Sequence, residues 1–272
     1  MQIGKSAIIS LACALNIVCA LSAAAQDRIT VPLTNPAQPV TIKATLLSGS
    51  IKVTAGTGRE LVVTSSDAGR SSRRDSAPPG MTRIGGRPGL DIEEDHNVVT
   101  ISAGSMTGAG ADLVIETPVN TNPQLKTING RSIDVTGVNG DHEIENTNGS
   151  ITLTNVSGSV VAHTLNGSVT ASLDRITGNK AMSFTSLNGK VDVTLPGDTK
   201  ARLRLKSDNG AIYSDFDVKL EADSNKPVVE DSRSQNGKYK ISVDRNVTGT
   251  INGGGPEYTF QTMNGNILIH KK

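Results

Sequence analysis

Acidic side chains on short strand-like segments are the residues of this chain best suited to chemistry. Asp141, Glu143 and Glu145 alternate over five positions, so an extended strand would place their carboxylates on one side. Two converging carboxylates can cleave a glycosidic bond, and several together can bind calcium. The candidates are Asp134, Asp141, Glu143, Glu145, Asp174 and Asp192. The same spacing is also typical of a solvated charged face. We favour that interpretation over a polysaccharide lyase or a glycosidase.

No other side chains have the spacing of a catalytic or metal site. The histidines, His96, His142, His163 and His270, are scattered along the chain. Serine is abundant, but no Gly-x-Ser-x-Gly motif stands at a strand-to-helix turn. A calcium-binding solenoid would repeat aspartate at fixed corners, where this chain repeats asparagine. We therefore predict no catalytic residue, no cofactor and no bound metal.

The elements that would position these side chains follow one repeated phrase. A small polar residue and a glycine precede an alternating aliphatic strand, and successive glycines lie about nine to eleven residues apart. Segments such as Ile151–Thr154 and Val191–Val193 alternate aliphatic with polar residues, which predicts half-buried strands. The repeats are Asn129-Gly130, Asn139-Gly140, Asn148-Gly149, Ser157-Gly158, Asn166-Gly167, Thr177-Gly178, Asn188-Gly189, Asn209-Gly210, Asn252-Gly253 and Asn264-Gly265. The sequence predicts an all-β protein.

Two architectures could use such strands. Asn-Gly is a strong hairpin signal, which would give an antiparallel meander. Alternatively, each glycine could turn a corner with a positive φ, and the chain would wind onward. Polar residues two places before the corner recur at every second repeat: Thr127, Asn146, Thr164, Ser186 and Ser207. This alternation favours a parallel β-helix, or β-solenoid, with two strands per coil of roughly twenty residues.

The row of Thr127, Asn146, Thr164, Ser186 and Ser207 is the candidate interaction surface. Stacked coils would place its hydroxyl and amide groups about 4.8 Å apart. Such a ladder could bind a repetitive polymer, such as envelope polysaccharide, or an envelope protein. Alternatively, these side chains could satisfy backbone groups at the corners.

The N-terminal segment resembles an export signal. Residues 1–25 combine Lys5, an apolar stretch and Ala23-Ala24-Ala25, so we predict a cleaved signal peptide and no transmembrane anchor after cleavage. Both cysteines lie inside it. Removing Lys5 from 27 basic residues leaves 26, which equals the 26 acidic residues. This balance gives no reason to expect nucleic acid as a partner. We predict a location in the periplasm, on the outer surface or outside the cell.

The rest of the chain divides by composition into two ranges. Residues 26–120 are predicted to form N-terminal β coils interrupted by a mobile loop at 67–90, which is rich in Ser, Arg, Gly and Pro. Residues 121–272 are predicted to form the Asn-Gly-repeat β-helix. A second polar insertion is predicted near Glu221 to Lys238.

Three motifs together resemble a known family. They are Gly249–Pro256 (GTINGGGP), Gln261–Ile267 (QTMNGNI) and Leu165–Val169 (LNGSV), supported by Ser214–Phe216. The chain is similar over roughly residues 40–272 to the putative-adhesin family of bacterial envelope β-strand-repeat proteins, domain of unknown function 4097. The resemblance implies a right-handed parallel β-helix, export and no established catalytic residues. We therefore expect a non-enzymatic adhesin-like or scaffold protein; the alternatives are a carbohydrate-active enzyme and an envelope-stress accessory protein.

Overall fold

The computed structural model describes residues 27–68, 89–103, 110–221, 227–232, 238–243 and 246–272. Twenty strands and no helix occur in these residues, which confirms the all-β prediction. The predicted signal peptide and most of the predicted 67–90 loop lie outside the described residues. Among those described, no helix is long and apolar enough to cross a membrane.

The strand bounds follow the repeats. The strands of the first half are β1 (Asp27–Val31), β2 (Val40–Gly56), β3 (Leu61–Ala68), β4 (Leu90–Asp95), β5 (Val98–Ala103), β6 (Gly110–Pro118), β7 (Thr121–Thr136), β8 (Asn139–Asn148), β9 (Ser150–Asn166) and β10 (Val169–Arg175). Those of the second half are β11 (Met182–Asn188), β12 (Val191–Leu195), β13 (Ala201–Asn209), β14 (Ile212–Ser214), β15 (Lys219–Leu220), β16 (Pro227–Ser232), β17 (Lys238–Val243), β18 (Val247–Ile251), β19 (Glu257–Asn264) and β20 (Ile267–Lys271).

Parallel pairing joins most of these strands into two hydrogen-bonded rows. The first row runs β5-β2-β7-β8-β9-β11-β19-β13. The second row runs β6-β2-β7-β9-β10-β12-β20-β14. The long strands β2, β7 and β9 belong to both rows because each bends at a corner. Hairpin turns at the Asn-Gly pairs would have made these neighbours antiparallel, so the structure excludes a meander and shows a β-solenoid-like stack.

Side-chain alternation explains why the two rows pack against each other. In β9 and β12, Ile151, Leu153, Val191 and Val193 are buried, while the Thr and Asp residues between them point outward. The core is almost wholly aliphatic. Among the described residues, one pair of aromatic rings stacks in this core, Phe184 on Phe260, with ring centroids 5.2 Å apart.

The stacking order departs from chain order at both ends. In both rows β2 lies beside β7, and β5 and β6 pair with its outer edge. Near the other end, β19 pairs with both β11 and β13, and β20 pairs with both β12 and β14. The C-terminal strands are therefore inserted between strands that precede them in sequence.

Antiparallel strands extend both ends of the stack. β4 pairs with β5, β3 pairs with β6 and β1 pairs with β3. At the opposite end β18 pairs with β13, and β15 pairs with β18. Strands β16 and β17 pair only with each other, in the region of the predicted second insertion.

Candidate functional site

The predicted interaction row lies inside the protein, so that prediction is corrected. Thr127, Asn146, Thr164, Ser186 and Ser207 are all buried, with exposures between 0% and 7%. They occupy register-matched positions, as the spacing predicted, but Thr262 of β19 lies between Ser186 and Ser207. Their side chains point inward because they share the parity of the aliphatic core positions. A buried row cannot form a binding surface.

Three hydroxyls of this row bond to the backbone at the Asn-Gly corner, while Thr127 Oγ1 donates to Asn146 Oδ1 at 2.8 Å. Thr164 Oγ1 donates to the carbonyl of Gly149 at 2.8 Å, and Ser186 Oγ donates to that of Gly167 at 2.7 Å. Ser207 Oγ donates to Gly265 O at 2.9 Å in the same way. These bonds satisfy carbonyl groups at the bend, which is the structural alternative recognised in the sequence.

Glycine is required at these corners mainly because a side chain would not fit, and less because of the backbone φ angle. A positive φ was expected at every repeat, and Gly149 has one at 154°. Gly167 and Gly189 do not have one, so the expectation is wrong there. An added Cβ at Gly167 would lie 2.2 Å from Gly149 O, and one at Gly189 would lie 2.1 Å from Gly167 O. Glycine is needed because neighbouring corners touch through their backbones.

The asparagines of the repeat form a ladder of side-chain amides that the sequence analysis did not predict. Asn166 Nδ2 donates to Asn148 Oδ1 at 2.8 Å, and Asn188 Nδ2 donates to Asn166 Oδ1 at 2.8 Å. The complete ladder comprises Asn129, Asn148, Asn166, Asn188, Asn264 and Asn209, in spatial order. The repeated asparagines thus stabilise the corner by bonding to each other.

The candidate carboxylates do not converge on one catalytic site. Glu145 pairs with Lys126 at 2.5 Å, while Asp174 pairs with Lys272, also at 2.5 Å. Asp192 pairs with Lys190 at 2.8 Å on the second row. Asp134 accepts a bond from Ser132 at 2.7 Å, and Glu143 is exposed on β8 between Asp141 and Glu145.

Asp141 has the electrostatics of a structural carboxylate. A hydrogen bond from Lys180 at 2.7 Å, and a second from Ser159 at 2.6 Å, hold the pKa of Asp141 below its ordinary value. A glycosidase acid instead needs a raised pKa to hold its proton near neutral pH. Asp141 therefore lacks the environment of a general acid.

The histidines lie in separate environments. His142 is buried, its Nε2 lies 3.2 Å from Ser157 O, and burial lowers its pKa. His163 is exposed, with Nδ1 2.6 Å from Thr185 Oγ1. His270 lies between Asp192, at 3.4 Å, and Asp215, at 3.1 Å. The described parts of the chain contain no group of three or more potential metal ligands.

The second row presents a regular set of outward hydroxyl groups, which we call the hydroxyl face. Thr136 is in register with Thr154, and Thr152 is in register with Thr170. The hydroxyl face consists of Thr54, Thr136, Thr152, Thr154, Thr170, Ser172 and Thr194. Neighbouring strands place such groups about 4.8 Å apart, and alternate residues of one strand place them about 7 Å apart.

These seven hydroxyls have no side-chain hydrogen bond to any described residue, and each side chain is half-buried or exposed. Asp134 lies next to Thr152 at one border of the face, and Asp192 lies next to Thr170 at the opposite border. The face itself carries no charge. It therefore offers a flat set of hydrogen-bond donors and acceptors that the protein does not use internally.

The comparison with known proteins decides the family. The model of the Toastrack domain, domain of unknown function 4097, matches residues 22–270. The chain belongs to the Toastrack family. This confirms the resemblance seen in the three sequence motifs.

Two solved structures are similar to this Toastrack chain. One is a putative cell adhesion protein from Clostridium sporogenes, with 10% identity, a TM-score of 0.44, and 91% of this chain and 100% of that chain covered. The other is a putative adhesin from Bacteroides fragilis, with 10% identity, a TM-score of 0.38, and 92% and 98% covered. No curated protein matches the Toastrack chain significantly.

The sequence of this Toastrack chain carries a signal for the hydroxyl face in its outward threonines. Thr152 and Thr170 occupy outward positions of the strands quoted as examples of alternation. Thr136, Thr154 and Thr194 occupy equivalent outward positions of the second strands of other repeats. The polar residues that recur before the corner give a more regular pattern, but they face inward.

Proposed function

We propose that this protein is an exported, non-enzymatic, adhesin-like component of the bacterial envelope that binds a neutral polysaccharide on its hydroxyl face. The unpartnered hydroxyl groups of that face carry the proposal. Export follows from the predicted signal peptide. We further propose that the stack is a right-handed solenoid with two strands per coil, as the family resemblance and the repeat length imply.

The chemistry of the hydroxyl face fits a polyhydroxyl ligand. Each Thr or Ser hydroxyl can donate one hydrogen bond and accept others, and so can each sugar hydroxyl. Single bonds of this kind contribute little against water, so a useful affinity needs many of them along a repetitive chain. Seven hydroxyls supply that multiplicity, although the register of β9 and β10 shifts once between Ala171 and Leu173, beside Thr154 and Ser172.

Charge argues for a neutral polymer. The seven side chains of the hydroxyl face include no cation to pair with uronic acid or phosphate groups. The bordering carboxylates lie beside lysines, since Lys190 pairs with Asp192 at 2.8 Å and Lys52 is in register with Asp134. The border therefore has no net positive charge that would attract an anionic chain.

A set of conservative substitutions tests the proposal. Thr136→Val, Thr152→Val and Thr170→Val together remove three hydroxyls and keep the branched shape of the side chains. We expect binding to a neutral envelope polysaccharide, measured by sedimentation with the insoluble polymer, to fall about tenfold or more. Incubation with the same polymers should release no new reducing ends.

The matched control lies on the first row. Thr45→Val, Thr100→Val and Thr259→Val together also remove three outward threonine hydroxyls, none of which bonds to a described side chain. Binding should persist in that variant. Equal loss in both variants, or no wild-type binding across a panel of neutral and acidic polysaccharides, would refute the proposal. Fractionation of cells producing the full chain tests export separately.

A further inference from the structure

Exposed aliphatic side chains form a line along the Asn-Gly corner, which we call the aliphatic ridge. Its members immediately precede the corner polar residue of their strands and are 36–49% exposed. They are Leu47, Ile128, Leu165, Leu187 and Met263. Five of the eleven exposed large hydrophobic residues in the described chain therefore belong to one line.

Strand register fixes the order of the ridge. Leu165 lies beside Leu187 because Thr164 pairs with Ser186 and Asn166 pairs with Asn188. By the same argument Met263 follows Leu187, and Ile128 follows Leu47. Thr147 occupies the one interruption, between Ile128 and Leu165. Six strands at about 4.8 Å spacing make a line roughly 24 Å long.

The surroundings of the ridge are polar and carry no net charge, because the charges at its β13 end, Lys206 beside Gln261 and Asp208 beside Met263, are opposite in sign. On one side runs the asparagine ladder, whose amide groups already bond to each other. On the other side the charges of Lys126 and Glu145 neutralise one another. An exposed apolar patch rimmed by polar groups is typical of a protein or membrane contact.

The shape of the ridge decides between those contacts. A single line of side chains on an outer corner is convex, so a second copy of the same ridge would touch it only along that line. A stable protein interface needs about 800 Å² from each partner, which a line of five side chains does not supply. A lipid surface can instead close around a convex line from both sides, and a straight line lets all five side chains enter at one depth.

We propose that the aliphatic ridge docks the protein reversibly on a phospholipid surface. The five aliphatic side chains enter the boundary between headgroups and acyl chains, and the asparagine ladder lies among the headgroups. Because the flanks are neutral, docking does not depend on anionic lipid. This surface is separate from the hydroxyl face, so the protein can hold a polysaccharide and a lipid layer together.

Vesicle binding tests the ridge directly. The mature chain is mixed with vesicles of phosphatidylethanolamine and phosphatidylcholine, and the bound fraction is measured by flotation. Ile128→Thr, Leu165→Thr and Leu187→Thr together introduce the residue that the ridge already has at Thr147. We expect the partition coefficient to fall about tenfold.

The control removes equally exposed aliphatic side chains elsewhere. Val114→Thr, Val119→Thr and Val161→Thr change residues that are 39–49% exposed and lie off the ridge. This control should bind vesicles within about twofold of the wild type, and so should the hydroxyl-face variant. The last result separates lipid docking from polysaccharide binding.

Three outcomes would overturn the proposal: no wild-type binding to the vesicles, equal loss in the ridge and control variants, or a requirement for anionic lipid. Light scattering adds a fourth. If the wild type is a dimer and the ridge variant a monomer, the ridge is a contact between copies of the chain and not a lipid-binding element.

Discussion

Asn264 Nδ2 donates a hydrogen bond to Asn188 Oδ1 at 2.6 Å, although 76 positions separate the two residues. The bond joins β19 to β11 and extends the asparagine ladder through a strand from the chain terminus. Strand β13, which lies between them in sequence, pairs with the other edge of β19. Strand β19 therefore lies between β11 and β13 and links them. These two strands are not direct hydrogen-bonded neighbours, although they are closer to each other in sequence than either is to β19.

Gly265→Ala should destabilise this insertion. A Cβ at Gly265 would lie 2.3 Å from Gly189 O, so the corners of β19 and β11 would have to separate. We expect the free energy of unfolding, measured by urea denaturation, to fall by about 2–4 kcal/mol. Gly89→Ala is the control, since an added Cβ there meets no atom of the described residues within 4 Å. A similar loss in both variants would contradict a steric role for Gly265.

The ring stack between Phe184 and Phe260 should couple the inserted strand to its neighbour. Both rings are fully buried, on β11 and β19 respectively. Phe184→Leu and Phe260→Leu should each reduce stability by about 1–3 kcal/mol because volume and ring contact are lost. The double variant should lose less than the sum of the two. Strictly additive losses in a double-mutant cycle would show that the rings are not coupled.

Ser186→Ala should show that the buried polar row is structural. Its Oγ donates to Gly167 O at 2.7 Å inside the corner, so the alanine variant leaves that carbonyl with one bond fewer. We expect a loss of about 1–2 kcal/mol in unfolding free energy, with unchanged polysaccharide and vesicle binding. Ser183→Ala, at a half-buried position of the same strand, should change stability by less than about 0.5 kcal/mol.

The family and the strand class were predictable from local patterns. Alternation in segments such as Ile151–Thr154 indicates which side chains face the core, and the polar residues before every second corner favour a solenoid over a meander. The buried position of Ser186 and Thr164 also follows from parity, since each shares its face with the aliphatic residues of its strand. The error lay in treating the polarity of these residues as a sign of exposure.

The order of the stack was not predictable from the repeats. Ser186 and Ser207 are successive members of the same sequence pattern, yet Thr262 lies between them. Each repeat offers nearly the same edge and the same asparagine, so local sequence does not specify which strand becomes the neighbour. Only long-range packing, such as that of Phe260 against Phe184, distinguishes them.

Because His142 is buried, we predict that the free energy of unfolding decreases in mild acid. Burial, the largest influence, lowers the pKa of His142 in the folded protein, whereas the nearby Asp141 carboxylate and backbone hydrogen bonds partly oppose it. The unfolded chain, with an ordinary histidine pKa near 6.5, therefore binds a proton more readily than the folded one. Stability is fully present above about pH 6.5 and falls as the pH drops from there towards the lower folded pKa.

The slope of stability against pH isolates this histidine. Unfolding free energies from urea denaturation at pH 7.5, 6.5 and 5.5 should decrease with acid in the wild type. His142→Leu should flatten that decrease, whatever its effect at pH 7.5, because the buried titrating group is gone. His163→Gln removes an exposed imidazole on the neighbouring strand β9 and should leave the slope unchanged. An unchanged slope in His142→Leu would assign the acid sensitivity to other groups. Asp141 does not contribute to the change in stability between pH 7.5 and pH 5.5, because its lowered pKa places its own titration in more acidic solutions.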